Sequence, residues 1–196
     1  ALADAKRGVE EARQHHHAPQ PGQHDEQEDR TRDAVEPYGD EPAADDQQAK
    51  RLNMVTMTDC HVGMLAWGKE AGDDWDLKIA EQTLIAGFRA MIDQSPAAHT
   101  AVINIQGDFL HTDGLLPITP AHHHVLDADG RYPKMVEVGI RIIRHLVTAA
   151  LERHHHVTVI FKGGNHDPST SACIRIFLAC LYENEPRVTV DVEAVA

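Results

Sequence analysis

Thiols, positive charge and long apolar runs are what this chain has least of. Its three cysteines, Cys60, Cys173 and Cys180, form no CxxC pair and are too scattered for a disulfide framework or a thiolate zinc site. Cys173 and Cys180 lie seven residues apart in one helical pattern, which predicts a pair of core thiols. Eighteen basic residues stand against 31 acidic ones, a formal charge of −13 with histidine neutral. The surface at large therefore offers no electrostatic footprint for nucleic acid or an anionic membrane, although a local basic face remains compatible with that balance. No apolar run is long enough to span a bilayer and no secretory leader pattern is visible, so the expectation is no membrane and a reducing, cytoplasmic setting. A glycine-rich phosphate loop of the usual spacing is also missing, which argues against a nucleotide-binding P-loop domain. No internal repeat is visible.

What is present is unevenly spread. Residues 1 to 50 are rich in Glu, Asp, Gln, His and Pro and poor in apolar side chains, and such a segment cannot offset the entropy cost of ordering. They read as an acidic, mostly disordered arm or linker, with a short helix over 3 to 13 and an incidental triplet, His15-His16-His17. Order is expected from Leu52, giving a second region over 51 to 196. Short β-branched and apolar runs at 54 to 58, 101 to 105, 157 to 162 and 188 to 192 predict strands. Apolar residues at helical spacing predict helices over 76 to 94, 134 to 153 and 168 to 183, with Asp73, Asp74 or Asp76 as the first N-cap and Pro133 in the first turn of the second helix. Two loops remain: 62 to 75, with Trp67 and Trp75, and 109 to 132, with His122-His123-His124.

This β-α-β-α-β-α-β order predicts an α/β fold, a mostly parallel sheet flanked by helices with right-handed crossovers. The carboxyl ends of its strands then share one edge, where open sheets of this kind place ligands. Three strands empty into polar residues there: Asp59-Cys60-His61, Gly107-Asp108, and Gly163-Gly164-Asn165-His166-Asp167 at the end of the run VTVIFKGGNHDP.

Carboxylate, imidazole and amide donors suit Mn²⁺, Fe, Zn²⁺ or Mg²⁺. Asp59 and His61 are two apart, so extended backbone puts both on one face, and Gly107 lets the chain turn tightly and leave the Asp108 carboxylate exposed. A carboxylate can bridge two cations about 3.5–4 Å apart, and such ions lower the pKa of a bound water from about 15.7 towards 7, which suits hydrolysis of a phosphate ester. Taken singly, Asp59, Asp108 and Asp167 each read as an N-cap or turn residue; taken with Asn165 and His166 they read as a site. Arg131 either contacts a substrate phosphate or pairs with Asp127 or Asp129. Trp67 and Trp75 either stack on a base or anchor their loop. His154-His155-His156 adjoins Arg153 at a helix end, where cationic side chains complement the helix dipole.

Asp59-x-His61, Gly107-Asp108 and Gly164-Asn165-His166-Asp167, in this order and spacing, resemble the first three motifs of the calcineurin-like metallophosphoesterases, and the resemblance covers residues 52 to 192. The stretches DCHVGMLAW…DWDL and LDADGRY are most similar to phosphoesterases of bacteriophages and prophages, which are related to the SbcD-type nuclease subunit of DNA repair. The resemblance implies a layered, two-sheet sandwich. It also implies a hydrolase, in a bacterial or phage-infected cell, that cleaves a phosphodiester, with DNA as the candidate substrate, by attack of a metal-bound hydroxide. Two divalent ions are implied, Mn²⁺ foremost. Asp59 and His61 would hold the first ion, Asp108 would bridge, and Asn165 would ligate the second. His166 would act beside the scissile phosphate as general acid or hydrogen-bond donor, oriented by Asp167. His111, His124 and Arg131 are the further substrate-binding candidates.

One departure qualifies this. The family continues with a lone metal-binding His and a Gly-His-x-His motif, whereas no histidine follows Asp167 here. The chain also begins at Ala1 and stops at Ala196 in mid-pattern. The expectation is that it supplies the first half of the fold, lacks the C-terminal half and is weakly active or inactive by itself; His111 and His122 to His124 are the internal substitutes otherwise. A phosphomonoesterase acting on nucleotides or phosphoproteins, and a non-catalytic module with a vestigial metal site, are the competing functions.

Overall fold

The structure is a computed structural model that describes residues 50 to 192. The arm, its expected helix over 3 to 13 and the His15 to His17 triplet lie outside the described residues. The elements run β1 (Leu52–Thr58), α1 (Gly68–Ala71), α2 (Leu77–Gln94), β2 (Thr100–Gln106), α3 (Tyr132–Leu151), β3 (His156–Lys162), α4 (Pro168–Leu181) and β4 (Val188–Asp191). The expected α/β alternation is therefore present, with one added helical turn, α1, inside the loop over 62 to 75. The strands form one four-stranded sheet, in sequence order and all parallel, in which Leu52 pairs with Thr100 and Thr100 with His156.

Strand order equal to sequence order, with right-handed crossovers, keeps every connection on one face of the sheet. Burial agrees. Val55 and Met57 of β1, Ala101, Ile103 and Ile105 of β2, Val157, Val159 and Phe161 of β3 and Val188 of β4 all join one core with Phe88 and Ile92 of α2, Ile142, Ile143 and Leu146 of α3, and Ile174 and Leu178 of α4. Each of these Val, Ile, Leu, Phe and Met side chains, fully buried, contributes roughly 1.5–3 kcal/mol. The alternate positions point away from this core: Met54 is 56% exposed, and Val102, though buried, lies outside the cluster.

Helix ends follow local chemistry. Asp76 caps α2, its Oδ1 accepting from the Ile79 N–H at 2.7 Å. Pro133 and Pro168 sit in the first turns of α3 and α4, where a missing N–H costs nothing. No helix among the described residues is long and apolar enough to cross a membrane.

Two expectations fail. Cys173 and Cys180 are exposed rather than core thiols. Helix α4 turns Ile174 and Leu178 inward, and at 100° per residue Cys173 and Cys180 stand roughly 100° and 120° around the helix from Ile174. His154 is no exposed cation. It is 1% exposed, its Nδ1 hydrogen-bonds the Ala150 carbonyl at 2.9 Å and its Nε2 meets the Asn53 amide at 3.0 Å. Burial holds its pKa below the usual imidazole value, so it serves the end of α3 as a neutral donor.

Candidate metal centre

The parallel pairing of β1 and β2 does not stop where the strands end. His61 N–H donates to the Asp108 carbonyl (2.9 Å), Val62 N–H to the Phe109 carbonyl (2.8 Å), and His111 N–H returns to the Val62 carbonyl (3.0 Å). This continued ladder brings the segment after β1 alongside the segment after β2. Asp59 (φ 50°) and His61 (φ 44°) both take the left-handed backbone conformation, which is uncommon for residues with a side chain but least costly for Asp, Asn and His. Backbone strain of this kind concentrates at functional sites.

Two side-chain groups result, each with ligand atoms within 4.8 Å of one another: Asp59, His61 and Asp108, and His61, His111 and His166. They share His61. Asp108 is 7% exposed, and its Oδ1 accepts from the His166 backbone N–H at 2.8 Å. The loop after β3 can come this close only because residue 164 is glycine: a Cβ there would lie 2.6 Å from the Asp108 nitrogen. Gly107 (φ 73°) makes the turn that sets Asp108 against Asp59.

This donor set fits a divalent cation. Carboxylates of Asp59 and Asp108 so near one another repel, and among the described residues neither is ion-paired with a lysine or arginine. A cation among them, with the His61 imidazole as a further donor, resolves that repulsion, and the mixed O/N set is one that divalent transition metals accept. The residues are thus positioned to hold a metal ion.

His61 and His111 are poised as neutral ligands. Burial, reinforced by neighbouring His166, lowers the pKa of His61 against the opposing pull of Asp108 and Asp59. Burial also brings His111 down to about 4, with His61 and His166 adding to the shift. The rings of His61 and His166 stand edge to face at 4.8 Å between centroids, and those of His111 and His166 stack at 5.4 Å. His166 is held by its Nδ1, which bonds the His111 carbonyl at 2.9 Å.

That last bond replaces the expected one. Asp167 does not orient His166: its carboxylate is fully buried and accepts from the Leu110 N–H (2.8 Å) and the Gly164 N–H (3.0 Å), tying together the loops after β2 and β3. Burial raises its pKa despite those bonds. Asn165 is exposed, between Gly164 and His166, both of which pack on Asp108. His111 joins the cluster. His124 does not: it is exposed, its N–H bonds Thr119 Oγ1 and its ring neighbours His122. Arg131 is exposed and lines a cavity of about 660 Å³ with Asp127, Tyr132, Leu65 and Leu126. Among the described residues Arg131 is ion-paired with neither Asp127 nor Asp129, and Asp129 Oδ2 accepts from the Leu77 N–H at 2.9 Å.

Sequence reasoning missed Asp113. Its carboxylate accepts from the backbone N–H groups of Ser169 (3.0 Å) and Thr170 (2.6 Å) and from the Thr170 hydroxyl (2.7 Å), anchoring the long loop to the start of α4. Burial alone would raise its pKa, but these bonds outweigh it and hold the carboxyl below its ordinary value. The partners are more than fifty residues away, so no local pattern announces them. No family model, curated protein or solved structure matches the chain.

Proposed function

We propose that this protein is a metal-dependent phosphoesterase that hydrolyses a phosphodiester, with DNA as the candidate substrate. The observation that carries the reading is the convergence of Asp59, His61 and Asp108 at the carboxyl edge of the sheet with His166 beside them. Two divalent ions, Mn²⁺ foremost, complete the centre in this reading, held by Asp59, His61, Asp108 and Asn165. Such ions supply charge neutralisation of the phosphate and a more acidic water. The remaining work falls to the protein. Asp59 and Asp108 fix the cations, and the His111 carbonyl orients the His166 ring through Nδ1. With Nδ1 so engaged, His166 Nε2 is the nitrogen left to serve a phosphate oxygen as donor or general acid. Asp167 keeps the Gly164 loop against Leu110. The three free cysteines suit the reducing cytoplasm expected for such an enzyme.

The net charge of −13 favours a second reading, a phosphomonoesterase for small phosphate esters, since a strongly acidic protein repels polyanions. Hydrolysis of bis(p-nitrophenyl) phosphate against p-nitrophenyl phosphate, in Mn²⁺, separates the two. Asp108→Asn should abolish diester hydrolysis and Mn²⁺ uptake measured by calorimetry, with the far-ultraviolet circular dichroism unchanged. Undiminished turnover by that variant sinks the mechanism.

A further inference from the structure

We propose that His61, His111 and His166 form a second metal site, selective for zinc, whose occupation withdraws His61 from the carboxylate site and so opposes Mn²⁺ binding there. The regulatory part rests on the phosphoesterase reading above; the zinc site stands without it.

Three imidazoles converge here. His61 Nδ1 and His111 Nδ1 lie 3.2 Å apart, sharing a hydrogen bond that an ion between them would replace. Tetrahedral zinc with Zn–N bonds of about 2.05 Å sets its ligand nitrogens about 3.3 Å from each other. The third ring, His166, offers its ligand atom within 4.8 Å of the other two. Its Nδ1 is committed to the His111 carbonyl at 2.9 Å, so Nε2 is the nitrogen left for an ion. Metal-binding histidines characteristically have their other ring nitrogen anchored in this way, which fixes tautomer and orientation. His111 is buried, at 6% exposed, while His61 and His166 are partly exposed, so an ion can reach the group from the side of those two rings.

The two sites differ in donor chemistry. Asp59 and Asp108 favour Mn²⁺ or Mg²⁺, whereas three imidazoles with no carboxylate favour zinc and its neighbours late in the divalent series. Three protein ligands also leave one tetrahedral position open, as in sites where zinc retains a water. Because His61 belongs to both groups, an ion held by the histidines competes with one held by Asp59 and Asp108.

The test uses metal-free protein titrated with Co²⁺ as a spectroscopic stand-in for zinc, alongside calorimetric titrations with Zn²⁺ and Mn²⁺. The unaltered chain should take up one Co²⁺ with the intense visible absorption of a tetrahedral site. One equivalent of Zn²⁺ should then weaken Mn²⁺ binding about tenfold or more, the scale on which perturbed ligand environments act. His111→Gln and, independently, His166→Gln should lose the tetrahedral Co²⁺ spectrum, whereas Asp108→Asn should keep it while losing Mn²⁺ uptake. A tetrahedral spectrum that survives both histidine variants but vanishes in Asp108→Asn overturns the zinc site and leaves the phosphoesterase reading intact. Mn²⁺ binding that ignores Zn²⁺ overturns the competition. A histidine-dependent Co²⁺ site in a protein that never binds Mn²⁺ supports the zinc site and removes the phosphoesterase reading instead.

Discussion

Replacing Asp167 with alanine should destabilise the metal-free protein, whatever it does to activity. The carboxylate is fully buried, and its two oxygens satisfy the backbone N–H groups of Leu110 and Gly164. Orphaning a buried donor costs about 1–3 kcal/mol, so two such losses amount to roughly 2–6 kcal/mol. Part is recovered, because the carboxylate itself was taken out of water, as its raised pKa records. A net loss of about 3 kcal/mol is expected, which for a domain of this size lowers Tm by roughly 6–12 °C. Asp167→Asn should lose about half as much, since its amide oxygen still accepts one bond while its NH₂ faces the other donor. The assay is thermal unfolding followed by circular dichroism at pH 7 with chelator present, so that metal release contributes nothing. A Tm within about 2 °C of the unaltered chain for Asp167→Ala would refute the reasoning. Asp167 would then belong to the chemistry rather than to the tie between the two loops.

Gly164→Ala places a methyl group against the Asp108 backbone; such overpacking costs about 1–3 kcal/mol and should abolish Mn²⁺ uptake in calorimetry even where the variant folds. Asp76→Ala removes the cap of α2 and should cost about 1 kcal/mol in urea unfolding, with metal binding untouched. The pH dependence has a definite sign. With the His111 pKa lowered by burial to about 4 in the folded chain against about 6.5 unfolded, protons favour the unfolded chain between those values, so metal-free stability is lost as the pH is lowered from above 6.5 towards 4. The His111 share of that fall should be on the order of 2 kcal/mol, and urea titrations at pH 7 and pH 4.5 should show a shallower decline in His111→Gln.

Which parts of this arrangement could be read from residues alone follows from how each is built. Apolar periodicity marked every strand and the three long helices because the core draws on one face of each, and parallel topology then obliges Asp59, Asp108 and His166 to meet at one edge. No such rule governs the loops. His111 stood in the sequence as one of several loop histidines, equal to His124. What separates them is the continuation of the β1–β2 ladder through Val62 and Phe109, which sets His111 beside His61 and leaves His124 in the solvent. That pairing is made by backbone groups, and backbone groups leave no trace in side-chain pattern. Asp167 shows the opposite difficulty. Its place after Asn165-His166 suggested a partner for the His166 ring, but Pro168 starts α4 immediately and the carboxylate turns inward to the Leu110 and Gly164 amides. The ring finds the His111 carbonyl instead. The same loop that supplies His111 as a possible ligand thus also supplies the acceptor that aims His166. A change in the loop after β2 should therefore disturb both histidines together, even though only one of them lies in it.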